Sequence, residues 1–257
     1  MNPVENNTSV VPPPHIRALG DWTLHEYAVC TSTNLVAAQL PAWTAVRSDT
    51  QTKGRGRFDR SWVSDEGGLW LSAVLPIRPK SAAWAFLPVA IGYAVCQTLE
   101  SLGAQDLRLR WPNDVLVGRR KLAGLLLDQF SPDLVVAGIG INVFNNPENR
   151  DDSLAGQTTR LTELIAPAPG LTELAAHILR AVRTVSGQLE SHGPEFLVNS
   201  VNALWHAPRR VRLDLDGTVV EGEFVGVDAR GRLELRQPGE PPRYFEPHQV
   251  RCLRETP

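Results

Sequence analysis

Apolar and polar positions change their spacing repeatedly along this 257-residue chain, and each change marks an element boundary. Trp22–Val29 predicts a strand. Ser32, Thr33 and Asn34 supply helix-capping side chains directly before Leu35-Val36-Ala37-Ala38. Thr44–Arg47 predicts a short strand and Leu69–Leu75 an apolar one. Between them, Gln51–Trp62 is rich in Gly and Arg, holds neither the helical nor the strand period, and reads as a loop. Ala82–Leu102 predicts a long, mostly buried helix that Gly103 stops, with Pro88 kinking it or marking its start. Leu107–Trp111 alternates as a strand. Val115-Leu116-Val117, the polar tip Gly118-Arg119-Arg120 and Lys121–Leu127 predict a hairpin. Val135–Val143 is a further apolar strand, interrupted by Gly138 and Gly140, and Leu171–Leu189 is a second long amphipathic helix.

The two ends of the chain differ from this middle. The first twenty residues, with Pro12-Pro13-Pro14, read as a flexible leader. Past Ala207-Pro208, short strands at Arg210–Leu215, Thr218–Val227 and Arg232–Arg236 are separated by the turn signals Asp216-Gly217 and Arg230-Gly231, which predicts a small β-barrel or sandwich. The expected organisation is a leader over 1–20, a catalytic domain over 21–207 and a β module over 208–257. The fold class is α+β, a mixed sheet packed by helices.

Composition narrows the functional classes. Hydrophobic residues make up 42% of the chain, which calls for a packed core. A formal net charge of −2 gives no global nucleic-acid signature. Cys30, Cys96 and Cys252 are far apart and form no CxxC pair, which argues against a disulfide framework or a zinc site. The scattered histidines show no HExxH spacing. The N-terminus lacks a signal-peptide pattern and no apolar run is long enough to span a membrane, so the expected compartment is the cytoplasm.

Four segments carry candidate chemistry. In Gly54-Arg55-Gly56-Arg57-Phe58-Asp59-Arg60-Ser61-Trp62, glycines permit close approach to an anion, three arginines can surround a phosphate, and Trp62 can stack on a purine or an arginine. Arg110-Trp111-Pro112-Asn113-Asp114 places carboxylate and amide oxygens at a strand end, suited to Mg2+ or a ribose hydroxyl. Lys121 begins the otherwise apolar Lys121–Leu126 strand, and a phosphate or substrate carboxylate would be its partner. On that reading its removal leaves the ligand-free fold near its original stability. In Gly138-Ile139-Gly140-Ile141-Asn142, strand glycines imply close approach by a ligand or another backbone. Taken singly, each segment also has a plainer explanation: a basic surface loop, a Pro-Asn-Asp turn, a snorkelling lysine, and tight packing against a helix.

Taken together and in order, Ser32-Thr33-Asn34, Gln51 with Gly54–Arg57 and Trp62, Trp111–Asp114, Lys121–Gly124 and Gly140–Asn142 resemble the biotin protein ligases. The resemblance runs from about Tyr27 to Asn142, and the β-rich tail is similar to that family's SH3-like C-terminal barrel. It implies that Ser32, Thr33, Asn34 and Gln51 bind biotin, and that Arg55, Gly56 and Arg57 close over biotin and the adenylate. It also implies that Lys121 contacts the biotin carboxyl and the α-phosphate. Arg57, Arg60, Trp62, Asn113, Asp114, Gly124 and Asn142 would serve the ATP side, with Arg57 and Lys121 as the catalytic pair. ATP and Mg2+ are the implied cofactors, with no fixed metal site. The implied acceptor is a biotin carboxyl carrier protein or domain, with no DNA or membrane partner, and a monomer or homodimer. The short leader is too brief for the helix-turn-helix of longer relatives. Two departures stand out: Asp59 where the family has Gly, and Arg110 where it has Lys. A lipoate or octanoate ligase or transferase of related fold is the alternative.

Overall fold

The computed structural model describes residues 13–77, 83–205 and 208–256. Eight strands form one sheet in the order β1-β2-β3-β4-β8-β7-β6-β5. They are β1 His15–Leu19, β2 Trp22–Cys30, β3 Thr44–Gln51, β4 Leu69–Pro76, β5 Leu107–Arg110, β6 Asp114–Val117, β7 Arg120–Gln129 and β8 Leu134–Ile141. Only β2 and β3 are parallel. A parallel pair needs a crossover, and the five-residue helix α1, Thr33–Ala37, provides it.

One correction falls at the start of the chain. The flexible leader was expected to reach residue 20, but His15–Leu19 pairs in antiparallel register with Trp22–Glu26, Leu19 opposite Trp22. The turn between them is Gly20-Asp21, with Gly20 at φ +60°. A tight turn with a left-handed glycine is a hairpin signal, and here it adds an edge strand to the sheet. Residues 1–12 of the expected leader lie outside the described residues.

Period-two alternation decides what each sheet face does. On β4, Leu69, Leu71, Ala73 and Leu75 enter the main core, as do Val135, Ala137, Ile139 and Ile141 on β8. Above them lie α2, Ala83–Ser101, and α3, Leu171–His192, which pack on each other. Pro88 stands inside α2. Phe86, Val89, Ala90 and Ile91 around it are 0–2% exposed, and their burial holds the helix across the missing N–H. The alternate residues Trp70, Ser72, Gly138 and Gly140 project to the opposite face. A small second cluster of Ala37, Val46, Val74 and Val136 seats α1 on that face. The long helices therefore leave this second face free of their cover. No helix among the described residues is long and apolar enough to cross a membrane.

Helix α4, Glu195–Ala203, leads to the tail, where β9 Arg209–Asp214, β10 Val219–Val227, β11 Leu233–Arg236, β12 Arg243–Phe245 and β13 Cys252–Glu255 form an antiparallel sheet. Its order is β12-β11-β10-β9-β13. The barrel expected here is open among the described residues, because the edge strands β12 and β13 each pair with a single neighbour. His206 and Ala207, at the expected boundary, lie outside the described residues. The tail is fixed firmly to the large sheet. Its Val211, Leu213, Phe224 and Leu233 belong to the main core, Trp111 Nε1 donates to Gly231 O at 2.9 Å, and the buried Arg108 pairs with Glu255, Nη2 to Oε2 3.0 Å.

Candidate active site

Strand register builds a platform of missing side chains. Gly140 on β8 stands opposite Trp70 on β4 and Gly124 on β7, and Gly138 stands opposite Ser72 and Leu126. A Cβ on Gly140 would lie 2.8 Å from Trp62 Nε1, and one on Gly124 2.8 Å from Trp62 Cζ3. A Cβ on Gly138 would lie 2.4 Å from Asn34 Oδ1. The glycines expected to permit close approach do so for two side chains, the Trp62 indole and the Asn34 amide. Around this platform is a cavity of about 310 Å³, within the range of small-molecule sites. Every residue singled out from the sequence as a biotin or ATP contact lines it.

One end of the cavity is neutral and richly hydrogen-bonded. Ser32 takes the N-cap position of α1 with no side-chain cap bond. Thr33 donates from its backbone N–H and its hydroxyl to Gln51 Oε1 at 2.7 and 3.1 Å. Gln51 Nε2 donates to Ser64 Oγ at 2.8 Å, and Ser64 donates to Trp62 O at 3.0 Å. The Ser72 hydroxyl lies 2.7 Å from Thr33 Oγ1 and 2.6 Å from Asn34 Oδ1. Thr33, Asn34 and Ser72 are each under 5% exposed, so these bonds fix the polarity of the pocket. Ser64 and Ser72 were not found from sequence. A serine on the free face of the otherwise apolar β4 was the available signal.

The other end is cationic. Lys121 Nζ lies 2.7 Å from Asp114 Oδ1 and 4.8 Å from the Trp62 ring centroid. Arg110 Nη2 reaches Asp114 Oδ2 at 2.6 Å. This corrects the expectation that Lys121 waits for a substrate as its partner: Asp114 already fills that role. A bulge between Val115 and Leu116 sets the β6–β7 register and places Lys121 opposite Leu116. Arg110, a departure from the family pattern, places a guanidinium on the same carboxylate. The backbone of Lys121 is pinned by Lys121 N–H to Gln157 O at 2.8 Å and Thr159 N–H to Lys121 O at 3.0 Å.

Burial alone would raise the pKa of Asp114, but Lys121 and then Arg110 outweigh it and hold the carboxyl below its usual range. A depressed carboxyl stabilises the fold above its unfolded pKa of about 3.9, and that contribution is lost as pH falls through the folded value. Wild-type protein should therefore lose stability more steeply than Asp114→Asn as pH drops from about 5 toward 3, read by thermal midpoint. Parallel curves would remove Asp114 from the acid response.

The Gly- and Arg-rich segment is a miniature hairpin. Trp62 N–H donates to Gly54 O at 2.9 Å, Arg55 bridges Ser61, and Gly56 N–H donates to Arg60 O at 2.7 Å. At its tip Phe58 and Asp59 have φ of 55° and 57°. Left-handed backbone favours glycine, and Asp is among the residues that tolerate it best, so the Asp59 departure is conformationally accommodated. The hairpin docks on the tail. Arg57 donates to Pro247 O and, at 3.2 Å, to Val250 O, and Arg60 reaches Arg251 O at 3.3 Å. The Arg57 and Arg251 guanidiniums both lie over the Phe58 ring, 4.8 and 5.6 Å from its centroid. Arg251 and its contact with the hairpin were missed from sequence.

Asn113 donates to Leu125 O at 2.8 Å and faces Arg57 Nη1 at 3.4 Å through Oδ1. Asn142 is 1% exposed; its amide donates to Thr159 O and accepts from Asn145, both at 3.2 Å. It lines the cavity while tying the end of β8 to the Thr158-Thr159 segment. Trp62 Nε1 is buried without an acceptor among the described residues, whereas buried donors usually find one.

Comparison with known proteins matches this geometry. Residues 28–143 match the Biotin/lipoate A/B protein ligase family, and residues 209–246 match the Biotin protein ligase C terminal domain. The biotin--[acetyl-CoA-carboxylase] ligase of Mycobacterium tuberculosis is 32% identical over 73% of this chain and 71% of its own length. That of Paracoccus denitrificans is 30% identical over 80% of this chain and 91% of its own. The structure of the Aquifex aeolicus biotin protein ligase in complex with biotin and ATP superposes with a TM-score of 0.78. It is 26% identical and covers 91% of this chain and 99% of that one. The chain belongs to the biotin protein ligases.

Proposed function

We propose that this chain forms biotinyl-5'-AMP from biotin and ATP and transfers the biotinyl group to a lysine of a biotin carboxyl carrier domain. The observation that carries this reading is the polarity of a single cavity, with a neutral hydrogen-bonding pocket at one end and a cationic cluster at the other. Thr33 and Gln51, with Ser32 and Asn34 beside them, suit a ureido head group, which needs both donors and acceptors. Lys121 and Arg57 suit the carboxylate and α-phosphate, with Arg55 and Gly56 in the hairpin above. Trp62 over Gly124 and Gly140 offers a flat surface to adenine, and Arg60, Asn113 and Asn142 complete that side.

In this reading the biotin carboxylate attacks the α-phosphorus, and pyrophosphate leaves. The acceptor amine then attacks the mixed anhydride, loses a proton, and AMP leaves. The attacking carboxylate is already a nucleophile, so the protein supplies position and positive charge. Lys121 and Arg57 would offset the negative charge on the oxygens of the pentacoordinate phosphorus, and Asp114, itself held by Arg110, keeps Lys121 in place. Mg2+ accompanies the nucleotide through its phosphates. The reaction is proposed for the cytoplasm.

The neutral pocket also favours biotin over a lipoyl or octanoyl chain, which presents no ureido group to Thr33 and Gln51. Pyrophosphate release should require ATP with biotin, and lipoate or octanoate should give under a tenth of that rate. Leaving a site's buried polar groups unpaired costs that much or more. Equal or faster turnover with lipoate or octanoate would overturn the substrate assignment.

A further inference from the structure

Asp128 stands near the end of β7, on the strand that carries Lys121 and Gly124, but it does not line the cavity. Its Oδ2 accepts a hydrogen bond from Asn34 Nδ2 at 2.9 Å and lies 3.8 Å from Arg55 Nη1. It is the point where the head-group pocket and the hairpin meet.

The Asn34 contact decides which way that amide faces. One Asn34 N–H goes to Asp128, the other to Leu126 O at 3.2 Å. Oδ1 is thereby turned to Ser72, and from Ser72 hydrogen-bonding contacts continue through Thr33, Gln51 and Ser64 to the backbone of Trp62. A carboxylate accepts and never donates. While Asp128 is ionised, a flipped Asn34 would aim its oxygen at another oxygen. The same carboxylate attracts Arg55 at the base of the hairpin. The two side chains are 23% and 37% exposed, so this ion pair is partly screened and weak.

We infer that Asp128 is a positioning residue that couples the placement of the Gly54–Trp62 hairpin to the hydrogen-bond polarity of the head-group pocket. It deepens the proposed biotin–adenylate reading and rests on it. No bond is made or broken at Asp128 in the reaction.

Two variants separate its contacts. Asp128→Asn keeps an oxygen for Asn34 but removes the charge that draws Arg55; Asp128→Ala removes both. Three quantities are measured on each, and on Asp128→Glu: the KM for biotin in pyrophosphate release, the dissociation rate of preformed biotinyl-adenylate, and amide exchange over residues 54–62 without ligand. For Asp128→Asn the KM for biotin should stay within about twofold, while adenylate leaves about two- to fivefold faster and hairpin exchange quickens, as fits a partly exposed ion pair. Asp128→Ala should also raise the KM for biotin about tenfold or more, the effect of losing a charge-assisted bond. Asp128→Glu should restore adenylate retention toward wild type. Wild-type values in both Asn and Ala variants would overturn the inference. So would a raised KM for biotin with dissociation and exchange unchanged, which would confine Asp128 to the pocket. If wild-type protein makes no biotinyl-adenylate, the functional reading fails and the coupling falls with it. Ligand-free exchange would still show whether Asp128 anchors the hairpin.

Discussion

Lys121→Ala should slow biotinyl-adenylate formation roughly ten- to 150-fold. A hydrogen bond to a charged group is worth about 1.5–3 kcal/mol, and each 1.4 kcal/mol is a factor of ten. The structure adds a second expected effect. Lys121 is bonded to Asp114 in the ligand-free protein at 2.7 Å, and the two side chains are 27% and 13% exposed. Removing the ammonium leaves a largely buried carboxylate with Arg110 as its remaining direct partner, at a cost of about 1–3 kcal/mol. For a chain of this size that lowers the thermal midpoint by roughly 2–6 °C. The main cation opposing the burial of Asp114 is then gone, so its proton uptake should move toward neutral pH. The pair of measurements is pyrophosphate release and thermal midpoint against pH. Full activity would reduce Lys121 to a strand-edge lysine. An unchanged midpoint would mean that its bond to Asp114 contributes nothing.

Gly140→Ala is expected to cut activity by at least tenfold without touching any charged group. The added Cβ would lie 2.8–3.0 Å from three atoms of the Trp62 indole, which also packs in a T-shaped arrangement with Trp70, ring centroids 6.4 Å apart. Overpacking of this kind costs about 1–3 kcal/mol, and the displaced ring is the surface proposed for adenine. The KM for ATP should rise more than the KM for biotin. In a Trp62→Ala background the same substitution should cost little stability, because the clashing partner is gone and the effects are non-additive. Wild-type kinetics in Gly140→Ala would show that the indole moves freely and does not define the nucleotide side.

Much of this was legible in the sequence because period and punctuation carried it. The apolar runs of β4 and β8, the hairpin with Gly118 at its tip and the two long helices fall within a few residues of their expected places. Elements too short for any period were lost: the three-residue β12, the four-residue β13, and α4, which buries only Leu197 and Val201. The strand His15–Leu19 was hidden by the proline-rich residues before it, although Gly20-Asp21 marked its turn.

At the site, residue types and order were legible and partners were not. Asp114 and Lys121 were both singled out, but their pairing depends on a bulge that sequence does not display. Gly138 and Gly140 announced a close approach without saying that Asn34 and Trp62 make it. Asp128 reads as an ordinary charge at a strand end until the fold brings Asn34, 94 positions away, within 2.9 Å.

The most direct test is transfer itself. Purified protein is incubated with biotin, ATP, Mg2+ and a biotin carboxyl carrier domain, and the carrier is weighed by intact-mass spectrometry. The expected result is a mass gain of one biotinyl group that requires ATP and disappears when the carrier's acceptor lysine is replaced by arginine. A carrier that gains no biotinyl group, while the same protein loads lipoate or octanoate onto its own acceptor domain, would contradict the proposed function.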